Sequence, residues 1–136
     1  MFWRNKFSSA DQGTLPVDVQ LWNHFISLAT MNHLSSLTQE QQTAVIVFWY
    51  DAEVNNGGHL AYFENHPHIP SDDLIHALQE VGADSFVENF QNAVAHGLYD
   101  DYITVDQAFG NISPSLTVIL RQYVVSHSTK LKLSSI

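Results

Sequence analysis

Thr38-Gln-Glu-Gln-Gln-Thr-Ala-Val-Ile-Val-Phe-Trp-Tyr-Asp-Ala-Glu-Val54 is the stretch that decides the fold. Thr38 and Gln41 stand three apart ahead of an apolar run. That is a capping box, in which each side chain satisfies an amide of the other's backbone. The residues behind it are apolar nearly all round, so the helix they predict lies at the centre of the molecule. Asn55-Asn-Gly-Gly58 follows, and its glycines offer a left-handed cap that ends this helix near Val54. A short helix over 59–64 is expected next.

Working outward, Pro16 suits a first helical turn, and Val17, Leu21, Trp22, Phe25, Ile26 and Leu28 recur at helical spacing to about Met31. On the other side, Asn65-His-Pro-His-Ile-Pro70 breaks regular structure. Ser71 is read as the cap of another helix, with Asp72 and Asp73 in its first turn, and Gly82 stops it after Val81. A further helix opens at Asp84 or Ser85, turns Phe86, Val87, Phe90 and Val94 inward, and ends near Gly97. Tyr102 to Phe109 reads either way, because Tyr102-Ile-Thr-Val105 favours a strand that has nothing to pair with. Pro114 precedes a last helix, from Leu116 to about Ser126. The expectation is an all-α, single-domain bundle of five or six helices over 15–128. Residues 1–14 are read as a flexible arm and 129–136 as a frayed tail.

Composition supports a packed domain. The 136 residues are 45% hydrophobic and 12% aromatic, enough to bury a core. There is no cysteine, which excludes disulfides and thiol chemistry and fits a reducing cytoplasm. The first residues show no apolar core of a signal peptide, and the longest apolar run, Ala44 to Tyr50, is too short to span a membrane.

Charge is distributed unusually. From Phe7 to Leu120 there is no lysine or arginine, and all 14 acidic residues fall in that stretch. The stretch carries −14 and the flanks +5, which together give the net −9. DNA binding needs phosphate neutralisation by basic side chains, so direct nucleic-acid binding is not expected. A single-sign field attracts a basic protein partner instead. The acids expected on the partner-binding face are Asp72, Asp73, Glu80, Asp84, Glu88, Asp100 and Asp101. Glu80, Asp84 and Glu88 are spaced by four, a rise of about 6 Å along a helix, and carboxylates at such spacing resemble a phosphate array. The bland alternative is a solvated, solubilising surface.

His59, His66, His68 and His76, with Glu64 near, could suggest a metal, but no HExxH spacing is present, and no metal or cofactor is expected. Asp51 and Glu53 stand two apart, so they face different sides of a helix and form no acid–base pair. No nucleotide or nucleophile motif occurs. No catalytic residue is assigned, and the chain is read as a binding module rather than an enzyme. An enzyme or metal protein built around Glu53, Asn56 and His59 is the minority alternative.

Glu53-Val-Asn-Asn-Gly-Gly-His-Leu-Ala-Tyr-Phe-Glu-Asn65, with Ala77-Leu-Gln-Glu-Val-Gly-Ala83 after it, resembles the DMP19-like family of bacterial proteins. The family's usual pattern is E-V-N-N-G-G-F-x-Q-Y-F-x-N, then A-L-x-x-I-G-A. The likeness covers about residues 38–98. His59 stands where phenylalanine is usual, which puts a core contact in question, and Ala61 stands where glutamine is usual. The resemblance implies a helical bundle in which Glu53, Asn55, Asn56, Gly57, Gly58, Tyr62, Phe63 and Asn65 form a structural motif. It also implies a DNA mimic, an acidic homodimer that occupies the basic surface of a transcription factor or other DNA-binding protein. An immunity- or antitoxin-like protein that neutralises a basic toxin is the runner-up.

Overall fold

The structure, a computed structural model, describes residues 15–135. The expected arm at 1–14 lies outside them. Six α-helices and no strand are present among the described residues: α1 (Val17–Met31), α2 (Gln39–Asn65), α3 (Ser71–Glu80), α4 (Val87–His96), α5 (Ile103–Asn111) and α6 (Leu116–Ser126). Short 3-10 turns at Leu34–Ser36, Asp84–Phe86 and Gly97–Asp100 join them. The protein is an all-α single-domain bundle.

α2 is the axis, as its apolar character demands. Its Thr38 accepts from the Gln41 amide at 3.2 Å, and the Gln41 side chain accepts from the Thr38 amide at 3.0 Å. The capping box is therefore present in both directions. Ala44, Val45, Val47 and Tyr50 of α2 are all fully buried. α1, α3, α5 and α6 all pack against this helix. Phe25 of α1, Leu74 and Leu78 of α3, Phe90 of α4, Phe109 of α5, and Leu116 and Leu120 of α6 close the core. Each such side chain contributes about 1.5–3 kcal/mol by leaving water.

Five expectations need correction. α2 does not end near Val54 but kinks at Gly57 (φ −143°, ψ 16°) and Gly58 (φ 76°, ψ −178°) and runs on to Asn65. The expected short helix at 59–64 is its far arm. Pro70, not Ser71, occupies the cap position of α3, and no side chain caps it. Tyr102–Phe109 is helical from Ile103, because Tyr102, Val105 and Phe109 are buried at helical spacing.

Val94 points outward, since the buried residues of α4 are Asn89, Phe90 and Ala93, with Phe86 just before the helix and Gly97 just after it. The tail after Ser126 is docked through at least Ser134 rather than frayed. Leu131 is 1% exposed within the core, its carbonyl accepts from Gln41 Nε2 at 2.9 Å, and the Ser134 amide donates to His24 Nδ1 at 2.9 Å. No described helix is long and apolar enough to cross a membrane.

Candidate functional site

The kink in α2 is where the family-like motif does its structural work. Gly58 adopts a backbone conformation open essentially to glycine alone. A Cβ there would also fall 2.3 Å from Asp106 Oδ2 of α5. Conformation and space therefore both require glycine. At Gly57 a Cβ would meet the Ala61 Cβ at 2.8 Å, one turn on.

Asp106 fills the kink. Its Oδ1 accepts from the His59 amide at 2.9 Å and from His59 Nδ1 at 2.7 Å. A carboxylate only accepts, so Nδ1 carries the proton. Nε2 is then the acceptor for the Tyr50 hydroxyl, 2.7 Å away. His59 is fully buried and lies edge-on to both Tyr50 and Phe109. Burial pushes its pKa down, and the Asp106 carboxylate partly offsets this. Burial, with Tyr62, Asp106 and Asp51 adding to it, pushes the Tyr50 phenol well up.

The core contact in question at position 59 is therefore kept, and two ring hydrogen bonds are added to it. The chain Asp106–His59–Tyr50 has the form of a proton relay. Both rings are buried, Asp106 is one-third exposed, and the bonds hold the kink and α5 together.

Glu53 bridges the same kink from outside. Its two carboxylate oxygens accept from Asn65 Nδ2 at 3.0 Å and from His66 Nε2 at 3.0 Å. The His66 ring stacks on Trp49 and on Tyr62, at centroid distances of 5.0 and 5.6 Å. The first and last residues of the motif thus meet across the bend. Asn55 donates to the carbonyl and carboxylate of Asp51 at 2.8 and 2.7 Å, and Thr117 of α6 donates to the other oxygen of that carboxylate. Burial raises the Asp51 pKa against these two hydrogen bonds. Asp51 and Glu53 have separate partners, as their spacing requires. Tyr62 is buried and Phe63 half-buried against the core, while Asn56 is exposed. The Tyr62 hydroxyl is buried with no hydrogen-bond partner among the described residues, and burial pushes its pKa up to about 12.

The other histidines are scattered. His68 and His76 are exposed, Glu64 is exposed, and no group of three potential ligands converges among the described residues. His59 alone of these histidines is fully buried. The sequence held one sign of it, an i,i+4 relation to Phe63, which packs against the core.

The acids are at the surface. Asp72, Asp73, Glu80, Asp84, Glu88 and Asp101 are exposed and Asp100 is half-exposed. Gly82 (φ 85°) ends α3, so Glu80, Asp84 and Glu88 do not share a continuous helix. The Asp100 carboxylate accepts from both the amide and the hydroxyl of Thr104, which fixes the start of α5, and the hydroxyl bond lowers its pKa. Among the described residues, the one carboxylate within 4 Å of a lysine or arginine is Asp18, 3.9 Å from Arg121.

No curated protein and no solved structure matches the chain. The family model described as DMP19-like protein matches residues 35–123, from just before the capping box of α2 to late in α6. That span holds the kink, both residues of the His59–Asp106 tie, and all seven acids named above. The chain belongs to the DMP19-like protein family.

Proposed function

We propose that this protein is an acidic binding module whose carboxylates take the place of DNA phosphates on the basic surface of a DNA-binding protein. The observation that carries the reading is the unneutralised acid surface. Six exposed carboxylates, at Asp72, Asp73, Glu80, Asp84, Glu88 and Asp101, have no lysine or arginine within 4 Å among the described residues. An ordinary surface intersperses both signs. Here lysine and arginine are confined to the two ends of the sequence, and the stretch from Phe7 to Leu120 carries 14 acids and neither of them.

Membership in the family supports this role, and the cysteine-free composition fits action in the cytoplasm. The salt dependence of binding tests the reading. Exposed charges are screened beyond about 10 Å at 0.1 M salt, so affinity for the partner falls steeply between low and physiological salt. An affinity indifferent to salt overturns it.

A further inference from the structure

Eight large apolar side chains are exposed among the described residues, and four of them lie in one ten-residue stretch: Val94, Leu98, Tyr99 and Ile103. Leu98 is 80% and Tyr99 87% exposed, on the 3-10 turn between α4 and α5. Scattered apolar residues on a surface are ordinary, but clustered ones mark an interaction site. Val94, Leu98 and Tyr99, with Ala95 and His96, also line a hollow of about 280 Å³.

The corner is built rather than loose. Asp101 and Tyr102 both take left-handed backbone angles, φ 55° and 67°, which non-glycine residues adopt at a cost. That turn sends the Tyr102 ring inward, against Phe63 and over Gly97, where a Cβ would fall 2.3 Å from it. Thr104 donates to Asp100 and closes the other side. Tyr99, three residues before Tyr102, is left pointing out, with the His96 ring stacked on it at 5.9 Å and 21°. Observed strain of this kind is a reason to look for function. A pre-ordered tyrosine loses little freedom when it binds.

We infer that the Leu98–Tyr99 corner is the apolar anchor of the partner-binding surface, and that its occupant is a protein cleft with an apolar floor and a lysine- or arginine-rich rim. The inference rests on the proposed function and adds to it where on the surface the tightest contact lies. Charge complementarity selects the occupant. The corner's own rim is Asp100 and Asp101, and neither has a lysine or arginine within 4 Å among the described residues. A second copy of this chain docked by two-fold symmetry brings the same carboxylates face to face.

The test is a nuclear magnetic resonance titration of the ¹⁵N-labelled full chain at low salt with two synthetic peptides. One is an amphipathic helix of leucine and lysine only, and the other has glutamine for each leucine. The expected result is that the leucine–lysine peptide shifts the amides of 94–103. The L98A/Y99A variant, with an unchanged circular dichroism spectrum and unfolding midpoint, binds it at least tenfold more weakly. Equal binding of both peptides, spread over 72–88, overturns the anchor and leaves the acidic-surface reading standing. Binding of neither peptide overturns both. Concentration-dependent dimers in sedimentation that L98A/Y99A abolishes would replace the proposed occupant with a second copy.

Discussion

Asp106 and His59 stand 47 residues apart in the chain and share two hydrogen bonds on one carboxylate oxygen. The backbone amide and the ring of a single histidine both donate to it. The motif kink and α5 are thereby fixed to each other, and the ring's remaining nitrogen is aimed at Tyr50.

This tie predicts strong coupling between the two side chains. Asp106→Asn is expected to cost about 1–3 kcal/mol, since it leaves buried donors with a poorer acceptor. His59→Phe, the residue usual in the family, takes the ring donor from Asp106, which keeps the backbone amide, and strands the Tyr50 hydroxyl. Urea unfolding of the two single variants and the double variant should give a coupling of about 0.5–3 kcal/mol. Additive effects would mean that the pair is not a unit.

The two left-handed glycines should respond differently to a methyl group. Gly82 has open space around its Cβ position, so Gly82→Ala carries only the conformational cost, roughly 1–2 kcal/mol. Gly58→Ala adds a collision with the Asp106 carboxylate to a conformation that costs about 1–3 kcal/mol by itself. Gly58→Ala should therefore be the more damaging in thermal unfolding. Equal losses would show that Asp106 moves aside without cost.

The pH dependence follows from two buried groups with opposite signs. His59 has its folded pKa lowered, so its contribution is complete above the unfolded value of about 6.5 and is lost as pH falls. Asp51 has its folded pKa raised from 3.8, so its contribution is largest at low pH and is lost as pH rises through the raised value. Between pH 7 and 5, His59→Phe should flatten the fall in urea midpoint. Asp51→Asn, which removes the opposing slope, should instead steepen the fall at more acidic pH, in the window that opens just above the ordinary carboxylate value of 3.8. A fall with the same slope in all three proteins would assign the pH dependence to other groups.

Tyr62 gives a prediction of gain. Its hydroxyl is buried and has no partner among the described residues, whereas its ring stacks within the aromatic core. Leaving such a group unsatisfied costs about 1–3 kcal/mol. Tyr62→Phe keeps the ring, so unfolding measurements should find it neutral to about 1 kcal/mol more stable. A loss above 1 kcal/mol would reveal a partner for the hydroxyl.

Local signals made much of this architecture legible. The capping box, the Pro70 and Gly82 boundaries and the apolar faces of α1 and α3 depend on neighbours within a turn or two, and the sequence states them directly. The kink reads as an end in the sequence, because an Asn-Asn-Gly-Gly segment has the composition of a helix stop. What carries α2 onward is Asp106, which no local pattern brings to Gly58. Helix α5 was ambiguous for the same kind of reason. Its β-branched start is overruled by the burial of Tyr102, Val105 and Phe109 and by the Thr104–Asp100 bonds. The docking of Leu131 depends on Gln41, 90 residues earlier. For the site, exposure of the acids followed from their being unpaired charges, whereas the left-handed corner that presents Tyr99 has no sequence signature beyond Gly97.

The most direct measurement is competition between this protein and duplex DNA for one partner. The full chain is immobilised, loaded with host lysate at low salt, and eluted with a DNA duplex. A DNA-binding protein released by the duplex, and bound again by the purified chain only when the duplex is absent, is the predicted result. A retained partner that binds the chain and the duplex together, without mutual exclusion, would contradict the account.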